Sequence, residues 1–180
     1  DAGLRERRRE LLAAATGDVL EIGAGTGANS DFYSGDWTSL TITEPSHPMA
    51  RKLRHKLAEK GIDARVIEAP GEQLPLPDQS ADTVISTLVL CTVGDLDAAL
   101  AEIRRVLRPG GRLLFIEHVR SEDEDVARWQ DRLHGLVKLL GNGCNCNRET
   151  ASAIERAGLQ IEVIDHGRMP KAAPIVRPLI

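Results

Sequence analysis

The chain has 180 residues, 42% of them hydrophobic and 28% charged, with a formal net charge of −4. That length supports one domain with a real core and excludes a second large catalytic domain, and the ordinary composition excludes disorder as the default. The negative balance argues against a general nucleic-acid binder, which carries a basic face, and three cysteines suit a reducing compartment rather than a disulfide scaffold.

Leu4 to Ala15 reads as an amphipathic helix ending before Gly17, and its Arg5, Arg7, Arg8 and Arg9 read as a solvated face. Val19, Leu20 and Ile22 follow as a short apolar strand suited to a parallel sheet. Gly23, Gly25 and Gly27 then remove side chains where the chain turns and let a ligand approach the backbone. Such a turn, opening toward a helix, presents free N–H groups to a pyrophosphate or a carboxylate.

Ser39 to Thr43 predicts a second strand ending at Glu44, punctuated by Pro45 and Pro48. Met49, Leu53 and Leu57 recur at helical spacing as the expected buried face of the next helix, whose basic stretch Arg51 to Lys60 reads as solvated and which Gly61 closes. Arg65 to Ile67 predicts a third strand, the turn-rich segment after it leads to a fourth over Thr83 to Thr87, and Leu96, Leu100, Ile103 and Leu107 mark a helix ended by Arg108 to Gly111. Leu113 to Ile116 predicts a fifth strand, about Asp125 to Leu140 a helix, Thr150 to Ala157 a short helix, Leu159 to Ile164 a sixth strand and Pro174 to Ile180 the start of a seventh.

Alternating strands and helices imply a parallel sheet covered on both faces, with the ligand beyond the carboxyl ends of the strands. Glu21, Glu44, the segment after Ile67, Thr87 and Glu117 all fall at such ends. Taken alone, the glycines leave the ligand open. Gly23 to Ala28 also satisfies the looser dinucleotide fingerprint, with Glu44 about 20 residues on where a ribose-binding acid belongs. An NAD-dependent reductase would further need a proton donor, and the single tyrosine, Tyr33, lies just after the turn.

Glu21, two residues before the first glycine, gives Glu-x-Gly-x-Gly-x-Gly, which resembles motif I of the class I S-adenosylmethionine methyltransferases. VLEIGAGTGANSDFY, the Glu44 strand end, APGEQLPLPDQSAD, STLVLCTV, RRVLRPGGRLLFIEHV, GCNCNRET and VRPLI extend the resemblance over nearly the whole chain, to methyltransferases of the type 11 kind and, within them, to the methyltransferase-like 7 thiol methyltransferases and their bacterial relatives. The resemblance implies a single Rossmann-like α/β domain over residues 1–180, with a mostly parallel seven-stranded sheet. Because the chain starts at Asp1 rather than Met and the relatives continue beyond VRPLI, the domain is expected to be cut at both ends.

The resemblance also implies roles. Gly23, Ala24 and Gly25 pass beneath the methionine part of S-adenosylmethionine; Glu21 orients that backbone or the ligand's ammonium; Glu44 accepts from both ribose hydroxyls, and Asn29 and Pro45 join the cofactor-binding set. Thr87 and Leu88 contact the ligand through their backbone. Many relatives place an adenine-binding Asp where this chain has Pro70, so the contact passes to Gly71, Glu72 or Gln73.

For catalysis, His118 is the candidate base and Glu117 its neighbour at the end of the fifth strand, only one of which can point at a given face. His134 reads as a helix-face residue, and His47, His55 and His166 carry no motif. Cys144 and Cys146, one residue apart, lack the spacing of a zinc pair, and Cys91 reads as core packing, so no metal is expected. The expected reaction is direct in-line transfer of the methyl group to a small acceptor, a thiol by resemblance, leaving S-adenosylhomocysteine. An oxygen or nitrogen of a small metabolite or lipid is the alternative, and an inactive S-adenosylmethionine-binding module is the reading from another class. No apolar run approaches the roughly 20 residues of a membrane span, and the cytoplasm, or the periphery of a membrane, is the expected location.

Overall fold

Successive residues of each central strand serve opposite faces of one sheet. In β1 (Gly17–Ile22), Leu20 and Ile22 pack into one apolar cluster while Val19 packs into another; in β4 (Ala81–Thr87), Val84 and Ile85 divide the same way. The side-chain period of two in a strand requires this division. A sheet that is apolar on both faces needs cover on both, which dictates a three-layer α/β arrangement.

The computed structural model describes residues 3–33, 37–141 and 143–180. α1 (Arg5–Ala13) leads into β1; β2 (Trp37–Thr43), α2 (His47–Glu59) and β3 (Arg65–Ile67) follow, then β4, α3 (Leu96–Val106) and β5 (Leu107–Ile116). α4 (Glu124–Leu140) and α5 (Thr150–Arg156) come next, and β6 (Gly167–Arg168), a 3₁₀ turn (Pro174–Val176) and β7 (Pro178–Leu179) close the chain. The sheet order is β3-β2-β1-β4-β5, all parallel. Leu12 of α1 and Leu53 and Leu57 of α2 cover one face; Leu100, Ile103 and Val106 of α3 and Ile154 of α5 cover the other.

Local chemistry explains the boundaries. α3 starts where the Asp95 carboxylate accepts from the Ala98 N–H (3.0 Å), and α4 where Asp123 accepts from Asp125 (2.9 Å) and Val126 (3.3 Å). α3 ends at Val106, so Leu107 opens β5 rather than closing the helix. The Pro109-Gly110-Gly111 segment becomes a register slip against Ala81–Thr83, with Gly110 at φ 79°.

Several expectations are corrected. Among the described residues the parallel sheet has five strands, and β6 and β7 form a separate antiparallel pair of two residues each. Residues 159–164 form no strand; Val163 is 84% exposed. In α2 the buried stripe is Ala50, Leu53 and Leu57, and Met49 lies one residue off it, 41% exposed. Arg8, read as solvated, is buried on the same stripe as Leu4 and Leu12. Among the described residues no helix is long and apolar enough to cross a membrane.

Candidate active site

At the carboxyl end of β1 the chain enters the glycine turn. Gly23 sits at φ 57°, and a Cβ there would lie 2.7 Å from a Val89 methyl carbon. Gly25 sits at φ 60° and a Cβ there would meet nothing within 4 Å. Gly23 is therefore demanded by packing behind the turn, whereas Gly25 borders open space where a ligand can meet bare backbone.

A buried polar network holds the turn from behind. Glu21 accepts from Asn29 Nδ2 (3.1 Å) and from the Tyr33 hydroxyl; Arg8 donates to Asn29 Oδ1 and to Thr87 Oγ1 (3.1 Å), and Asn29 Nδ2 also reaches Thr87 Oγ1 (3.0 Å). Burial pushes the Glu21 carboxyl up to about 7, against the opposing pull of Tyr33, Asn29 and Arg8. Burial lowers the Arg8 guanidinium from its ordinary value, with Glu21 acting the other way. Sequence reading missed Arg8, although its spacing of four from Leu4 and from Leu12 marks the inward stripe.

Glu44 lies at the end of β2, nearly buried. One carboxylate oxygen accepts from the Gly25 N–H and the other from the Ser46 N–H, both at 2.8 Å. Each oxygen keeps lone-pair capacity for a further donor. Glu44 thus stands against Gly25, the open position of the turn, while Pro45 beside it is exposed. In the following turn Gly71 is buried and Gln73 exposed, and the Glu72 carboxylate accepts from the Gly94 N–H at 2.7 Å, tying this turn to the approach to α3. One Glu72 oxygen makes that tie, and Gln73 is the turn's exposed amide.

The exits of β4 and β5 form the other wall. Leu88 is a non-glycine residue at φ 61°, held there by its N–H bond to Ile116 O (2.8 Å). That conformation costs about 1–2 kcal/mol and is sustained only by surrounding contacts. Glu117 is fully buried and accepts from Ser86 Oγ (2.7 Å) and from the N–H groups of Val89 and Cys91 (both 3.0 Å). Burial raises its carboxyl above the ordinary value, those donors opposing. Sealed and fully engaged, Glu117 props the β4 exit and turns no exposed oxygen toward an acceptor, contrary to the expected catalytic role.

His118 is half-buried. Its Nδ1 lies 3.5 Å from Cys144 Sγ and 3.7 Å from Cys91 Sγ, while its Nε2 is buried without a partner. Cys91, Cys144 and Cys146 form one buried sulfur cluster. Cys144 is the more acidic thiol of the adjoining pair, lowered chiefly by its hydrogen bond with Cys91 and also by His118 and Arg148; Cys91 is raised. The loop after α4 is strapped onto the β4 exit: the Asn145 N–H and Nδ2 both donate to Cys91 O (2.7 and 3.1 Å), and Arg148 donates to Leu90 O (2.5 Å) and Val93 O (2.7 Å). His134 Nε2 bonds Asn145 Oδ1 at 2.8 Å, so it braces this loop. Asn142, in the same loop, lies outside the described residues.

A cavity of about 990 Å³ lies between the end of α3, the start of β5 and the end of α5, at the opposite end of the sheet from these groups. Beside the site, a cavity of about 350 Å³ is bordered by Arg8, Ala28, Leu88 and Met169, at the margin of the turn and the β4 exit.

Residues 20–115 match a family described as a methyltransferase domain. The chain is 38% identical over 166 residues to the human thiol S-methyltransferase TMT1A, covering 90% of this chain and 68% of that protein. It is 38% identical over 179 residues to the human thiol S-methyltransferase TMT1B, covering 93% and 72%. Among solved structures, the YcgJ protein from Bacillus subtilis shares the fold with a TM-score of 0.71 at 22% identity, over 88% of this chain and 80% of that one.

Proposed function

The chain belongs to the methyltransferase domain family, and from that premise we propose that it transfers its methyl group to the sulfur of a small thiol. It is an S-adenosylmethionine-dependent methyltransferase. The similarity to two thiol S-methyltransferases over nine tenths of the chain carries the choice of acceptor.

The residues fit the cofactor. The open face of Gly25, with the Gly23-Ala24-Gly25 backbone, would receive its methionine portion, and Glu44, holding the Gly25 N–H, would accept from its ribose hydroxyls. Glu21 and Asn29, both buried, act on the turn from behind instead of touching the ligand. Thr87 and Leu88 line the approach from β4, and the Gly71 and Glu72 backbone or the Gln73 side chain would meet the adenine. S-adenosylmethionine supplies a methyl group already activated on a sulfonium sulfur.

The protein's task is alignment and exclusion of water, a matter of proximity and orientation. A thiol, with a pKa near 8.5, asks little of a base, so His118 at the β5 end serves to orient the acceptor. The test is mass-detected transfer from isotopically labelled S-adenosylmethionine to a panel of small thiols, phenols, carboxylates and amines. Methylated thiols alone are expected; labelled oxygen or nitrogen products without thiol products would refute the acceptor.

A further inference from the structure

Three soft donors converge at the acceptor side of the sheet: Cys91 on the turn leaving β4, His118 just beyond β5, and Cys144 on the loop after α4. Their ligand atoms all lie within 4.8 Å of one another, with 3.5 Å from Cys144 Sγ to His118 Nδ1 and 3.7 Å from Cys91 Sγ to the same nitrogen. Tetrahedral zinc, with bonds near 2.3 Å to sulfur and 2.0–2.1 Å to nitrogen, sets sulfur and imidazole nitrogen about 3.6 Å apart. The two observed separations bracket that value. We propose that Cys91, His118 and Cys144 form a site for a thiophilic divalent cation, zinc by its ligand chemistry, and that the fourth position takes the acceptor sulfur; this second half rests on the thiol reading.

Charge and rigidity support the assignment. Two thiolates and a neutral imidazole balance a dication, so a metal makes neutral a cluster whose two sulfurs are buried. Binding releases the two cysteine thiol protons to solvent and makes two sulfur–metal bonds and one nitrogen–metal bond; an acceptor thiol taking the fourth position would likewise give its proton to solvent and form the fourth bond in place of a water. The ring of His118 has its polar contacts at Nδ1, on the two sulfurs, while Nε2 has none. The donors are set before any metal arrives: Asn145 fixes the Cys144 loop to the Cys91 carbonyl, and Arg148 grips the carbonyls of Leu90 and Val93 on either side. Glu117 leaves the site to sulfur and nitrogen because its oxygens are engaged with Ser86, Val89 and Cys91. With three protein ligands, one coordination position remains for an exogenous group, the arrangement of catalytic rather than closed structural zinc sites.

The test is an anaerobic titration of the reduced, chelator-treated protein with cobalt(II), followed by displacement with zinc, with circular dichroism confirming that the metal-free chain is folded. One equivalent of cobalt should give sulfur-to-cobalt charge-transfer absorption and tetrahedral visible bands, and one equivalent of zinc should abolish them. Cys144→Ala and His118→Ala, each shown to be folded, should weaken cobalt binding at least about a hundredfold, whereas Cys146→Ala should leave it intact. Absence of a saturable one-equivalent signal, or binding indifferent to Cys144→Ala and His118→Ala, would overturn the site. Benzenethiol added to the cobalt-loaded protein should shift the charge-transfer band; cobalt binding without that shift would overturn the role of the fourth position. Labelled oxygen or nitrogen products alone would remove the thiol reading and the fourth-position role with it, while the cobalt signal would still stand for the site.

Discussion

Replacing Glu21 by Gln removes a buried acid while keeping its shape and one acceptor. The wild-type carboxyl sits at about 7 in the folded chain, against 4.5 as its ordinary value. Below pH 4.5 it is protonated in folded and unfolded chains alike and sets no pH dependence. Between 4.5 and about 7 the unfolded chain gives up this proton while the folded chain keeps it, so rising pH erodes stability; above 7 the loss is constant. The gap between those two values corresponds to about 3 kcal/mol. Urea melts of wild type and Glu21→Gln across this range should therefore diverge in the variant's favour as pH rises, by about 1–2 M in midpoint at the upper end. Taking the difference cancels the histidines and surface carboxylates common to both. Parallel profiles would refute the reasoning, since they would mean Glu21 ionises in the folded protein as readily as in the unfolded one.

Glu44→Gln should weaken S-adenosylhomocysteine binding by about 1.5–3 kcal/mol, and a 2′-deoxyribose analogue should lose affinity for wild type but little further for the variant; calorimetry on both ligands decides it. Gly25→Ala should cost about 1 kcal/mol in stability, from its φ of 60° with no clash, yet block the ligand's approach, whereas Gly23→Ala should destabilise more because its methyl meets Val89. Binding and thermal melts on the pair separate these effects. Glu117→Ala should cost about 3–5 kcal/mol in urea unfolding, because it strands two buried N–H groups and the Ser86 hydroxyl; a loss below about 1 kcal/mol would contradict its role as a prop.

The short-range signals were legible wherever one element carries its own pattern. Arg65–Ile67 is a strand with the bounds its residues predict, and the glycine turn and Glu44 meet through one hydrogen bond. Failures came where a distant partner decides. Leu159 to Ile164 alternates as a strand should, but finds no strand to pair with among the described residues. Met49 fits the spacing of Leu53 and Leu57 but sits at the rim of a stripe that Ala50 completes. Arg8 is charged and inward because Asn29 and Thr87, from two other elements, supply its partners. The Cys91, His118 and Cys144 cluster has no local spacing to betray it. Its only sequence signal is topological: all three follow the carboxyl-end exits of the sheet or the helix leading back to it.

β5 is an outer strand of the parallel sheet, and just past its end Glu117 and Ile180 exchange N–H bonds of 2.8 and 3.0 Å. The backbone of Glu117 is thus held by Ile180 while its side chain holds Ser86, Val89 and Cys91, so the wall of the site and the residues of β7 should exchange their amide hydrogens as one cooperative unit.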